Sequence, residues 1–170
     1  MASIADIIVQ AAQFQFAGNL AQAEHLYEQV LQAEPGNANA LHQLAFLAHQ
    51  TGRLPAACEH LRKAVAIYPT IATFHINLGL VLKDQGKLDE AIDCYRDGLD
   101  RDPNNPDAHN NLGNALKAQG RLTEAITCYR QALAINPNLP NVLNNLGIAL
   151  SEQKKLDEAL GRGLASPVTY

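Results

Sequence analysis

No stretch of this chain is apolar for long enough to cross a membrane, and its mean hydropathy is -0.14. Basic residues never run longer than a pair such as Lys154-Lys155, and the net charge is -4. Binding to nucleic acid independent of sequence needs clustered Lys and Arg to displace counterions, so no nucleic-acid partner is expected. The same scatter excludes a basic helix lying on a membrane surface. Cysteine is scarce and odd in number, at Cys58, Cys94 and Cys128, without metal-type pairing. That usage fits a reducing compartment. The first ten residues lack Lys and Arg and include Asp6, which does not suit a secretory leader. A cytoplasmic protein is therefore expected. There is no glycine-rich phosphate loop, no HExxH and no GxSxG. No catalytic residue, cofactor or metal is expected, and the chain is read as non-enzymatic.

What the chain does have is a period. Proline returns every 34 residues at Pro35, Pro69, Pro103 and Pro137. Glycine keeps the step at Gly18, Gly52, Gly86 and Gly120, and alanine at Ala23, Ala57, Ala91, Ala125 and Ala159. Such a period points to stacked helix pairs. With the proline at position 32, the units span 4–37, 38–71, 72–105 and 106–139, with an incomplete unit at 140–160. Together 1–160 form the array, and 161–170 is a tail without repeat character.

Within a unit, positions 4, 7, 8 and 11 are apolar or small. They are His75, Leu78, Gly79 and Leu82 in the third unit, His109, Leu112, Gly113 and Leu116 in the fourth, and Leu143, Leu146, Gly147 and Leu150 in the fifth. Steps of three and four place them on one helical face. Glycine at position 15 suits the left-handed backbone that ends a helix. A second amphipathic run follows, such as Leu88, Ala91, Ile92, Tyr95 and Leu99, and the proline stops it. Gly79 is expected to face Ala91 and Gly113 to face Ala125. The tyrosines at position 24 (Tyr27, Tyr95, Tyr129) are expected to fill the gap toward the next unit. The fold class is all-α: a right-handed superhelix of antiparallel helix pairs, with about five repeats.

The Leu78-Gly79, Ala91, Tyr95, Pro103 series, repeated at Leu112-Gly113, Ala125, Tyr129, Pro137, resembles the tetratricopeptide repeat family. The family's early tryptophan is replaced by Ile7, Leu41, His75, His109 and Leu143, and the chain has no Trp. The last unit departs further. Lys154 stands at the turn glycine, and Leu156, Ala159 and Leu160 are read as the start of a second helix. Gly163 takes the place of the tyrosine. The chain is read as cut from a longer protein.

The resemblance implies that the first helix of each unit lines a concave groove that binds another protein, as an extended peptide or a helix. Position 6 there holds Gln43, Asn77, Asn111 and Asn145. An amide can pair with both N–H and C=O of a peptide. Helices about 10 Å apart match roughly three residues of extended chain at about 3.3 Å each, so one rung per three residues is natural. Asn110, Asn114 and Asn144 add polar groups, and Lys83 and Lys117 add positive charge. His42, Phe46 and His49 make the N-terminal part more aromatic and titratable. A lysine clamp for a peptide carboxylate is not expected, since position 5 holds Ile8, His42, Ile76, Asn110 and Asn144. The asparagine ladder is similar to the recognition arm of O-linked N-acetylglucosamine transferases, which makes an enzyme's substrate-binding arm the alternative. Self-association through the incomplete last repeat is a further expectation. His42 and His49 lack a third ligand for zinc. His75, His109, Cys94 and Cys128 recur at fixed positions and are read as packing residues, with no basic residue placed to activate a thiol.

Overall fold

The computed structural model describes residues 3–160. The tail at 161–170, with Gly163, lies outside the described residues. Among these there are nine helices and no strand: α1 Ile4–Phe16, α2 Leu20–Ala33, α3 Ala38–Gln50, α4 Leu54–Ile67, α5 Ala72–Asp84, α6 Leu88–Arg101, α7 Pro106–Ala118, α8 Leu122–Ile135 and α9 Pro140–Ala159. Two compact units result. The first, to Arg101, holds three helix pairs; the second, from Asp102, holds one pair and α9.

Local chemistry sets the boundaries. Gly18, Gly52, Gly86 and Gly120 have φ of +75° to +77°, the left-handed conformation in which a Cβ is penalised. The first helix of each pair closes the same way. The glycine N–H bonds three residues back, and the following N–H bonds five back, as in Gly120 N–H to Lys117 O (2.8 Å) and Arg121 N–H to Leu116 O (3.0 Å). Each recurring proline stands two residues past the last helical residue of α2, α4, α6 or α8. Helix starts are capped by Ser3, Asn37 and Asn105, whose side chains accept from Asp6, Ala40 and Ala108 N–H. Pro106 and Pro140 occupy first-turn positions that lack an N–H partner anyway.

The core lies between the helices. Ala11, Ala23, Tyr27, Val30, Ala40, Leu44 and Leu47 form one cluster in the first unit. In the second unit Leu116, Ala125, Tyr129, Ala132, Val142 and Ala149 are buried. Gly79 faces Ala91 as expected, and a tyrosine ring of the same pair shares the notch. A Cβ on Gly79 would lie 2.8 Å from the Tyr95 ring and 3.1 Å from Ala91 O; on Gly113 it would lie 2.6 Å from the Tyr129 ring. The glycine thus makes room for the tyrosine of its own pair. The alanine's part is to bring the two backbones close. Tyr27 also touches the next pair, through the cluster that includes Ala40 and Leu44.

The expected second helix from Leu156 does not form. α9 runs unbroken for 20 residues. Lys154 would meet a penalty of about 1–2 kcal/mol in the left-handed turn that glycine adopts freely, so continuing the helix costs less. Lys154 and Glu158 then lie one turn apart, with Nζ and Oε1 separated by 3.7 Å.

Candidate functional site

Side chains on the first helices of adjacent repeats bond to one another at a spacing of 35 residues. In the first unit Asn77 Nδ2 donates to His42 Nε2 at 2.8 Å. In the second, Asn145 Nδ2 donates to Asn110 Oδ1 at 3.0 Å. Position 6 of one repeat thus reaches position 5 of the repeat before it. Asn110 is only 8% exposed, so its carbonyl is spent inside the stack. Asn111 is half-buried and has no side-chain hydrogen bond among the described residues. Asn144 is exposed, and Lys117 is half-buried.

The first unit adds aromatic and titratable groups. Tyr27 Oη donates to Gln15 Oε1 at 3.2 Å, and Gln15 Nε2 donates to Gln43 Oε1 at 3.3 Å. His42 packs against Phe74 with ring centroids 5.9 Å apart. Burial pushes its imidazole pKa down, which suits the neutral ring that accepts from Asn77. His49 Nε2 donates to Asp84 Oδ2 at 2.7 Å. Burial pushes the Asp84 carboxyl up, but the bond from His49 and the charge of Lys83, 3.4 Å away, outweigh it and hold the pKa below the usual value. Between α3 and α5 lies a pocket of about 170 Å³, lined by His42, Ala45, Phe46, His49, Leu61, Asn77, Leu80 and Val81. Phe46 stands 51% exposed at this site.

An amide nitrogen carries two hydrogens and its carbonyl two lone pairs. After the cross-repeat bond, Asn77 and Asn145 each keep one N–H and the carbonyl. That is what pairing with a peptide group requires. Asn114 is partly used, since Tyr129 Oη donates to its Oδ1 at 2.8 Å. Tyr95 has no such acceptor, and its buried hydroxyl is without a partner. Burial pushes both phenols up, Tyr129 to about 12.

The recurring histidines pack as expected and do one thing more. His75 Nε2 donates to Pro69 O and His109 Nε2 to Pro103 O, each at 2.9 Å. Each thereby ties the start of its repeat to the proline loop before it. Cys94 is a poor nucleophile: burial drives its pKa up to about 11, with Asp97, Asp93 and Glu90 adding to the shift. Burial raises Cys58 too, and Arg62 and Lys87, which act against it, do not overcome the shift. Among the described residues no three His, Cys, Asp or Glu are grouped to hold a metal, and no helix is long and apolar enough to cross a membrane.

The signal for the 35-residue bonds is present in the sequence. A polar residue at position 5, His42 or Asn110, is followed 35 residues on by an asparagine. The proline carbonyls that the histidines meet six residues later were equally legible.

Comparison with known proteins bears on the fold. A family model described as TPR repeat matches residues 79–120 and 113–154, and one described as Tetratricopeptide repeat matches 17–80. The structure of MamA matches with a TM-score of 0.81 at 25% identity, over 89% of this chain and 88% of that one. YrrB, a TPR protein with an unusual peptide-binding site, matches with a TM-score of 0.77 at 18% identity, over 94% of this chain and 82% of that one. Cut9, in the Cut9-Hcn1 hetero-tetramer of the APC/C, matches at 0.78 and 21% identity, over 87% of this chain and 30% of that one. No curated protein matches the chain. The helix pairs, their glycine turns and proline stops, and the matched models together show that the chain belongs to the tetratricopeptide repeat family.

Proposed function

We propose that the chain is a protein-interaction module whose first-helix faces bind an extended segment of a partner protein. Each compact unit carries its own stretch of such a face. In the first it comprises Gln43 and Asn77 with His42, Phe46, His49 and Lys83. In the second it comprises Asn111 and Asn145 with Asn114, Asn144 and Lys117, while Asn110 holds Asn145 from within the stack.

The observation that carries this reading is the partial use of the amides. A surface asparagine of no consequence would be free to rotate. Asn77 and Asn145 are instead held by a bond to the repeat before them, and each keeps an acceptor and a donor. Fixing a side chain before binding removes rotamer entropy that a ligand would otherwise have to offset. The apolar pocket beside Asn77 offers room for a side chain of the bound segment. YrrB, similar in fold, has a peptide-binding site, which supports the reading by analogy. The alternative, a recognition arm of a larger enzyme, rests on the asparagine ladder alone.

The test is affinity capture followed by mass spectrometry, with the wild type beside Asn77→Ala/Asn111→Ala. The double variant is expected to lose the captured partner while its circular dichroism stays unchanged. Equal capture by a folded double variant would overturn the reading.

A further inference from the structure

Histidine stands at two of the inter-repeat bonds of the first compact unit. His42 and His49 lie two turns apart on α3, and each meets the residue 35 positions on, Asn77 and Asp84 of α5. The second unit makes the first of these contacts without a histidine. Position 5 there is Asn110, whose Oδ1 accepts from Asn145 at 3.0 Å. One cross-repeat bond is thus built with an acceptor that titrates, and its counterpart with an acceptor that does not.

His42 accepts from Asn77 through the lone pair on Nε2, so the 2.8 Å bond requires the neutral ring. A proton on Nε2 replaces that lone pair by an N–H, and two donors then face each other. Turning the Asn77 amide over about its last torsion brings Oδ1 to His42 instead. That torsion is broad and roughly two-fold in asparagine, so the turn needs no backbone movement. It also exchanges the places of acceptor and donor at the amide's free edge. An extended segment carries its N–H and C=O in a fixed order, so a segment that fits one setting meets the reverse order in the other.

The groups around His42 leave this proton in control. Phe74 of α5 packs on its ring, and Leu61 of α4 lines the same pocket. Tyr68, which caps α4, packs on Phe74 and gives its hydroxyl to Gly36 O at 2.7 Å. Toward α1 stand the neutral amides of Gln15 and Gln43. Burial lowers the His42 pKa, and no neighbouring charge contributes. His49, Asp84 and Lys83 form a group of their own, where a proton on His49 strengthens the bond to Asp84. Acid therefore breaks the bond that Asn77 donates and reinforces the one at Asp84, so α3 and α5 stay joined.

We propose, on the reading that this face binds an extended segment of a partner, that His42 and Asn77 form a proton-operated switch within it. The neutral ring holds Asn77 in the order that pairs with the segment, and the imidazolium reverses that order and releases it. Asn110 and Asn145 leave the second unit's stretch indifferent to the same proton.

Nuclear magnetic resonance of the isotope-labelled full chain reads the switch without a partner, from about pH 7.5 to about pH 4.5, a range that brackets a lowered histidine pKa. The Asn77 side-chain amide signals should move with the midpoint of the His42 ring. The Overhauser contact between the Asn77 Nδ2 hydrogens and that ring should vanish. The Asn145 signals should hold still in the same spectra, as should those of Asn77 in His42→Asn, which copies the Asn110 arrangement. A contact that persists beside a protonated His42 would overturn the proposal. So would a His42 that gains its proton only as the chain unfolds. On the immobilised chain, an acid wash at about pH 5 should release proteins captured at neutral pH about tenfold more from the wild type than from His42→Asn. Equal release would overturn the switch and leave the binding face standing, whereas equal capture by Asn77→Ala/Asn111→Ala removes the face itself.

Discussion

Helices α7 and α9 begin alike and end differently. Each opens on a proline and carries Leu-Gly at the same register, yet α7 stops after 13 residues and α9 continues for 20. The residue at the turn makes the difference. Gly120 takes a φ of +75°, and Lys154 at the equivalent position stays helical. Where the chain turns, α8 returns and buries Leu112, Gly113 and Leu116. Where it does not, Leu143 and Leu150 face outward. A single backbone preference thus decides whether an apolar face is core or surface.

The sharpest way to break this comparison is to add one methyl group to each glycine. Gly113→Ala drives a Cβ into the Tyr129 ring and should destabilise by about 1–3 kcal/mol. Gly147→Ala meets nothing and gains helix propensity, so it should stabilise by up to about 1 kcal/mol. Urea unfolding followed by circular dichroism reads both. The same sign for the two would mean that the α9 face is covered after all.

The turn offers a second test. Gly120→Ala should cost about 1–2 kcal/mol, because alanine is strained at positive φ. Lys154→Ala should change stability by less than about 0.5 kcal/mol, since only an exposed i,i+4 pair is lost. A large loss at Lys154 would show that α9 depends on more than its backbone preference.

The smallest effect concerns the tyrosine that α9 lacks. Tyr129→Phe removes the bond to Asn114 and should cost about 0.5–1.5 kcal/mol. Tyr95→Phe removes a buried hydroxyl that has no partner, so it should cost nothing or stabilise slightly. Melting curves of the two variants under one buffer decide it, and equal losses would mean that the Asn114 bond contributes nothing net.

Much of the fold was legible because its punctuation is local. Gly86 and Gly120 announce a left-handed turn, and Pro103 and Pro137 announce a stop, whatever surrounds them. The failures are those of side-chain direction and distance. Two small residues, Gly79 and Ala91, signal a close helix approach, but not that the Tyr95 ring enters the same notch, since that rotamer is set by packing. Asn110 read as a groove residue because it sits beside Asn111. A turn of 100° per residue takes it into the stack, where Asn145 meets it. Lys154 said clearly that the glycine turn was missing, but not that the helix would carry on through Leu156.

By itself the sequence determined that the chain is an all-helical array of paired helices, where most of those helices start and stop, and which residues recur on one face. Those properties follow from φ preferences, missing N–H groups and a periodicity of 3.6, and each acts within a turn or two of chain. Only the tertiary structure decided which asparagines are spent and which keep free atoms, which tyrosine hydroxyl is satisfied, and that the Gly147 face of α9 is open. Each of these depends on a partner some 15 to 35 residues away, or on its absence, and hydrogen bonding and close packing act only between atoms that the fold has already brought together.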